Sequence, residues 1–294
     1  MINDISATLE FLEDLELYKT ERPYILTPHG HGLDHLGDSK NGQSLNTVRL
    51  INGEVVVRDI RGLGQDKFTL QDAGFGIVNN ETRNKTLDFM SEEARKDYGR
   101  ETEEFWKKEL EAEYVLTYNV RLRRNGYWDP NEPVDVAARG WIDPPAKGIH
   151  VDLTFEQAPI LVSNHLTEQS KTEYLAPGYR YRIVNTWRPL IPFIEDNPLA
   201  VCDTRTIEPS DLVLTDRIFP NNEYTLYLVK HSQKQRWHWL SKQTPSELTL
   251  MMMYDSKPGA ARFCAHGSFV NPLAPKDAVP RRSIETRSLV VTKE

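Results

Sequence analysis

Cysteine is nearly absent: Cys202 and Cys264 are the only two in 294 residues. Two thiols cannot build a disulfide framework, so a reducing compartment is expected and the cytoplasm is the natural assignment. Both read as core residues rather than nucleophiles. No stretch approaches the ~18 uncharged apolar residues a spanning helix needs, so no membrane span is expected. Positive charge is also short, with 36 Lys and Arg against 43 Asp and Glu for a net −7. That balance gives neither the basic face of a sequence-blind nucleic-acid binder nor a polybasic membrane patch. Residues 1–16 carry five acids and no basic start, which argues against a signal peptide. Internal repeats and low-complexity tracts are missing too. What is present is 39% hydrophobic and 10% aromatic residues, enough for a packed core and too aromatic for a disordered chain.

Ile5, Leu9, Leu12 and Leu15 step by helical intervals and predict a short amphipathic helix. With the Gly- and His-rich loop that follows, residues 1–49 read as an N-terminal extension. Leu50 to Val57 reads as two short strands around an Asn52-Gly53 turn. Ser91 to about Glu113 is the best helix, with Ser91 as N-cap, acids in the first turn and Glu103/Lys107 and Glu104/Lys108 pairs. Residues 125–148, rich in Gly and Pro, predict a long active-site lid loop. Strand-like runs dominate thereafter: 148–154, 158–163, 179–187, 212–218, 223–230, 236–240, 248–254, 261–270 and 283–292. So many short strands predict a sandwich or barrel, mainly β with flanking helices.

His150 and Asp152 open one of these runs, and i, i+2 spacing in a strand turns both to one face. One imidazole and one carboxylate are two thirds of the 2-His-1-carboxylate set that holds Fe(II) with open positions. His266 lies 116 residues later in another strand-like run and can complete it, with His231 and His238 as alternatives. His238 sits between Trp237 and Trp239, which suits a packed imidazole better. Further on, Arg281, Ser283, Glu285 and Arg287 share a strand face. An Arg-x-Ser pair suits a dicarboxylate: the guanidinium grips it bidentately and the hydroxyl adds a hydrogen bond. A charged sheet edge accounts equally well for these residues taken alone.

An ordered set of segments carries a resemblance: Asn185-Thr186-Trp187-Arg188-Pro189-Leu190, Pro198 to Asp203, Trp237-His238-Trp239, Tyr254-Asp255-Ser256, His266 with Phe269, and Pro280-Arg281 with Ser283-Ile284-Glu285 and Arg287. In that order they resemble the fungal hydroxylase/desaturase family, which includes aspergillic acid hydroxylase, a gibberellin desaturase and cephalosporin 7-alpha-methoxylase-related proteins. Arg58 to Arg61, Ala73-Gly74-Phe75 and the helix from 91 extend the likeness, so it covers roughly 50–292. The family's usual Trp-Tyr-Tyr reads Trp237-His238-Trp239 here.

The resemblance implies a double-stranded β-helix (jelly roll, cupin-like), a single oxygenase domain over 1–294, and an Fe(II)/2-oxoglutarate-dependent oxygenase. It implies O₂ as the second co-substrate and release of succinate and CO₂. It implies a small-molecule secondary metabolite as substrate, oxidised at a C–H bond by hydroxylation, desaturation or ring closure. The implied metal ligands are His150, Asp152 and His266. The implied cosubstrate residues are Arg281, Ser283, Arg287 and Asn185, with the carboxylate on either Arg281 or Arg287. Arg188, Trp187, His238 and Tyr254 are candidates beside the substrate or the metal ligands. A homodimer is only the default expectation for a soluble protein. Two other classes compete: a zinc hydrolase on His29, His31 and His35, and a β-helix that binds a small molecule without catalysis.

Overall fold

The computed structural model describes residues 4–26, 47–64, 67–126, 142–219, 222–259 and 261–294. Among them the strands are β1 (Ile5–Leu12), β2 (Tyr24–Leu26), β3 (Leu50–Asp59), β4 (Phe75–Asn79), β5 (Tyr114–Arg124), β6 (His150–Val151) and β7 (Tyr179–Pro189). Then follow β8 (Leu199–Cys202), β9 (Leu212–Phe219), β10 (Asn222–Val229), β11 (Trp237–Trp239), β12 (Glu247–Asp255), β13 (His266–Ser268) and β14 (Arg282–Lys293). The α-helices are α1 (Glu92–Glu109), α2 (Gln157–His165) and α3 (Glu168–Tyr174).

The strands form two sheets, one ordered β1-β3-β11-β8-β13-β6-β10-β9-β2 and the other β4-β12-β7-β14-β5. They face each other as a double-stranded β-helix. Trp187, Ile183, Met251, Leu199, Val201 and Leu289 meet between them. The larger sheet is buried on its other face as well, where Phe11, Ile149, Val151, Trp237 and Phe269 form a second core. Parallel bridges Glu10–Gly148 and Leu12–Lys230 bring the end of β1 onto β6 and β10, so this sheet curls back and encloses that core. The curl buries Ile149 and Val151 on one side of β6 and leaves His150 and Asp152 facing the other sheet.

The expected N-terminal helix is a strand. Ile5, Ala7, Leu9 and Phe11 are the inward set, a period of two that the helical count passed over by omitting Ala7 and Phe11. The expected Asn52-Gly53 turn is the middle of the unbroken strand β3. Gly53 is there because the Phe11 ring lies against it: a Cβ would stand 2.7 Å from that ring. The expected strand over 158–163 is helix α2, which buries Ala158 and Val162, one turn apart, while the Thr154 hydroxyl accepts from the Gln157 N–H. A short apolar run does not distinguish these two periods by itself. Helix α1 forms as the caps dictate, with Ser91 Oγ accepting from Ala94 N at 3.0 Å. Most of the expected lid, and the whole His29/His31/His35 cluster, lie outside the described residues.

Candidate metal centre

One long-range strand pairing and one short spacing bring the centre together. β6 is paired with β13 so that His150 stands opposite His266, and the ring centroids are 4.5 Å apart. Asp152 follows directly on β6, and one ligand atom from each of His150, Asp152 and His266 lies within 4.8 Å of the others. The backbone sets both imidazoles. His150 Nδ1 donates to the Gly148 carbonyl at 2.8 Å and His266 Nδ1 to the Cys264 carbonyl at 3.0 Å. A carbonyl only accepts, so each ring carries its proton on Nδ1 and leaves the Nε2 lone pair as a ligand. Burial, then the neighbouring His266, lowers the His150 pKa from 6.5 to about 4, which keeps it neutral at neutral pH.

Asp152 is prepared in the opposite sense. Burial alone would raise its carboxyl, but Arg287, both imidazoles and the Asn185 amide together hold it well below the usual carboxylate range. Arg287 Nη2 donates to Oδ1 at 2.7 Å and Asn185 Nδ2 to Oδ2 at 2.6 Å. Arg287 on β14 is directly opposite Asn185 on β7, so one cross-strand row grips both carboxylate oxygens. Two imidazoles presenting Nε2 and one ionised carboxylate are the donor set that suits Fe(II). Outer partners of this kind orient a ligand, and losing one typically costs ~10–100-fold in metal affinity. An Asn185→Ala protein is therefore expected to bind Fe(II) ~10–100-fold more weakly, measured by competition with a chelator.

Beside the cluster runs a cavity lined by His150, Asp152, His266, Trp187, Arg123 and Arg281 among others. Arg281 is fully buried, and its contacts are the Asn197 carbonyl at 2.8 Å, Ser283 Oγ at 3.3 Å and the Trp187 face at 4.9 Å. None of these is a carboxylate. Burial and then the Arg123 charge push its pKa down to about 9, the mark of a cation poorly compensated by the protein. Its neighbour Glu285 belongs to Arg123, which holds it bidentately at 2.9 and 3.0 Å. A larger cavity of about 170 Å³, lined by Ile60, Arg61, Phe68, Leu240 and Glu247, includes none of the cluster residues.

The other sequence candidates divide. Asn185 and Arg287 reach the cluster, Arg281 and Trp187 line its cavity, and Ser283 bonds Arg281. Arg188 points elsewhere: it bonds Tyr98 Oη at 2.9 Å, Asn80 at 2.5 Å and the Pro245 carbonyl, tying β7 to α1. Tyr254 stacks on Tyr181 at 5.9 Å under the Arg262 guanidinium. His231 packs on Phe11 in the second core. His238 is opposite Val201, which is opposite His266, so two strand spacings, roughly 10 Å, separate the two histidines. His238 packs on Phe68 and Phe75, and burial lowers its pKa from 6.5 to about 4, with Asp203 and Asp4 opposing and Arg58 and Arg205 assisting.

Because the unfolded chain protonates His238 near 6.5 and the folded one near 4, the unfolded state binds more protons across that window. Stability is thus lost as pH falls from 6.5 towards 4. Urea midpoints at about pH 7 and about pH 5 are expected to differ less for His238→Phe than for the parent. Arg123 escaped the sequence reading, which placed Glu285 on the Arg281–Arg287 strand face without its partner. Asn119, Arg121 and Arg123 alternate on β5, and that period of two was the available signal.

Known proteins bear on this geometry. The family described as "Oxidoreductase/YMDC permease-like domain" matches residues 24–291. The hydroxylase/desaturase efuI of Hormonema carpetanum is 33% identical over 253 residues, 80% of this chain and 82% of its own length. The chain belongs to this hydroxylase/desaturase family. The Fe(II)/2-oxoglutarate-dependent dioxygenase nvfI of Aspergillus novofumigatus is 29% identical over 77% of the chain and 79% of its own length. The solved structure of the iron and alpha-ketoglutarate-dependent endoperoxidase NvfI superposes with a TM-score of 0.82 at 25% identity, over 99% of each chain. The protein is an Fe(II)/2-oxoglutarate-dependent oxygenase that uses O₂, with a small molecule as substrate. No helix among the described residues of this oxygenase is long and apolar enough to cross a membrane.

Proposed function

We propose that His150, Asp152 and His266 hold the Fe(II) of this oxygenase, that Arg281 with Ser283 anchors the far carboxylate of 2-oxoglutarate, and that the substrate is a fungal secondary metabolite oxidised at a C–H bond. The observation that carries the assignment is the buried Arg281 without a carboxylate partner, sharing one cavity with the His–Asp–His cluster. Arg287, the other arginine considered from sequence, is already engaged by Asp152. Its part is to hold that carboxylate ionised and oriented.

Bound iron with 2-oxoglutarate supplies O₂ activation, releasing succinate and CO₂ as the C–H bond is oxidised. The chain's own residues prepare the ground. The Trp187 ring lies 4.9 Å from the Arg281 guanidinium, and Asn197 and Ser283 take two of its five N–H donors, so donors remain for a planar carboxylate. Burial of the cavity walls excludes water and strengthens that ion pair. The relatives' names support the substrate class: besides efuI and nvfI they include an aspirochlorine biosynthesis protein of Aspergillus oryzae and a gibberellin-cluster desaturase of Gibberella fujikuroi.

The test is an anaerobic titration of metal-free protein with Fe(II), then 2-oxoglutarate, watching for the visible charge-transfer band of the chelate. A saturable band at one iron per chain supports the assignment. A folded protein that binds iron and develops no band sinks it.

A further inference from the structure

The sheet that faces the metal centre carries a β-bulge beside Asp152. Along β14, Arg287 stands opposite Asn119 but Ser288 stands opposite Thr117, so Tyr118 is the extra residue on β5. Before the bulge, even positions face inward: Tyr114 and Leu116 lie opposite Val291 and Leu289 of the inner core. After it, odd positions do: Arg123 lines the metal-side cavity while Val120 and Leu122 pack outside against Phe89 and Tyr98. The change of phase turns Tyr118 and Asn119, neighbours in sequence, to the same inner face.

Both side chains end there in atoms that nothing among the described residues satisfies. Tyr118 Oη and Asn119 Oδ1 are buried without a hydrogen-bond partner, as are Asn185 Oδ1 and Arg287 Nε. Asn119, Arg287 and Asn185 form one row across β5, β14 and β7, with Asp152 held above it. Buried polar atoms are normally paired, because an unpaired one loses its hydration for nothing. Four in one patch against the metal carboxylate are unusual for a structural core and ordinary for a binding surface whose ligand is elsewhere. The Tyr118 ring is also held in place: His165 of α2 stacks on it at 4.4 Å and 25°. Burial raises the phenol's pKa, so it stays a protonated donor.

Resting on the oxygenase assignment above, we infer that Tyr118 and Asn119 are the polar anchor for the substrate, and that the substrate presents an alcohol there. A hydroxyl answers both groups at once, accepting from the Tyr118 O–H and donating to Asn119 Oδ1; a ketone answers only the first and a hydrocarbon neither. The bulge thereby sets which carbon of the substrate faces the iron, because the anchored oxygen and the metal carboxylate are supported by the same cross-strand row.

Three matched probes test this: 2-tetralol, 2-tetralone and tetralin, measured by equilibrium dialysis against the anaerobic protein loaded with Fe(II) and 2-oxoglutarate. The parent is expected to bind the alcohol ~10-fold more tightly than the hydrocarbon, with the ketone between. Tyr118→Phe and Asn119→Ala should each reduce that preference several-fold and leave the chelate band intact, and Tyr118→Phe should keep the melting temperature at or above the parent's, since Tyr118 Oη has no hydrogen-bond partner among the described residues. Equal affinity for all three probes, including no binding of any, overturns the inference. So does a preference that survives both substitutions, or a Tyr118→Phe protein of lowered melting temperature. Loss of the band in the parent itself strikes the iron-site assignment, which separates the two failures.

Discussion

Arg281→Gln is expected to weaken 2-oxoglutarate binding by ~10²–10³-fold while Fe(II) still binds. Removing one member of a buried charge pair leaves the other desolvated and unpaired, a cost of ~3–5 kcal/mol. The titration follows the chelate band as 2-oxoglutarate is added to the iron-loaded variant. Among the described residues no carboxylate bonds the Arg281 side chain, and Glu285 and Asp196 act on it only at longer range, so the substitution is not expected to lower the melting temperature much. The glutamine can still donate to the Asn197 carbonyl. A variant with parental affinity for 2-oxoglutarate would move the anchor to Arg123 or Arg287, each of which would first have to leave its carboxylate.

His266→Ala and Asp152→Ala are both expected to abolish stoichiometric iron binding, with affinity falling by more than the ~10–100-fold that an outer partner controls. They should differ in stability. His266→Ala removes a ring whose one hydrogen bond runs to the Cys264 carbonyl two residues earlier. Asp152→Ala leaves Arg287 buried and uncompensated, and breaking such a pair costs ~3–5 kcal/mol. In the metal-free state, Asp152→Ala should therefore melt well below His266→Ala. Iron retained at parental affinity by the His266 variant would refute the ligand set, and equal melting temperatures would refute the reading of Arg287 as the carboxylate's counter-ion.

The legible parts of this protein are those whose physics is local. Ser91 caps α1 because its hydroxyl meets an N–H three residues on. The runs 179–187, 212–218 and 283–292 are strands, with edges within a few residues of their pattern. The pairing of His150 with Asp152 needed only the short spacing that brings both to the cluster. The misreadings share a cause. Ile5 to Leu12 fits a helix and a strand by different subsets of the same residues, and only pairing with β3 decides between them. Gly53 looks like a turn until Phe11 is laid across it. Residues 158–163 lacked the length that separates a buried strand from a helix.

The sequence by itself determined the mainly β class, the residue types of the proposed iron set and the stretch that holds the proposed cosubstrate arginine, since these rest on short-range spacing and an ordered series of motifs. Tertiary structure alone set His266 apart from His231 and His238, because strand order places it directly across from His150. It also set the two arginines apart. Arg287 stands in the row that reaches Asp152, and Arg281 is buried with no carboxylate of its own. Which charge is already compensated depends on what lies across the sheet, and that partner is more than a hundred residues away in the chain.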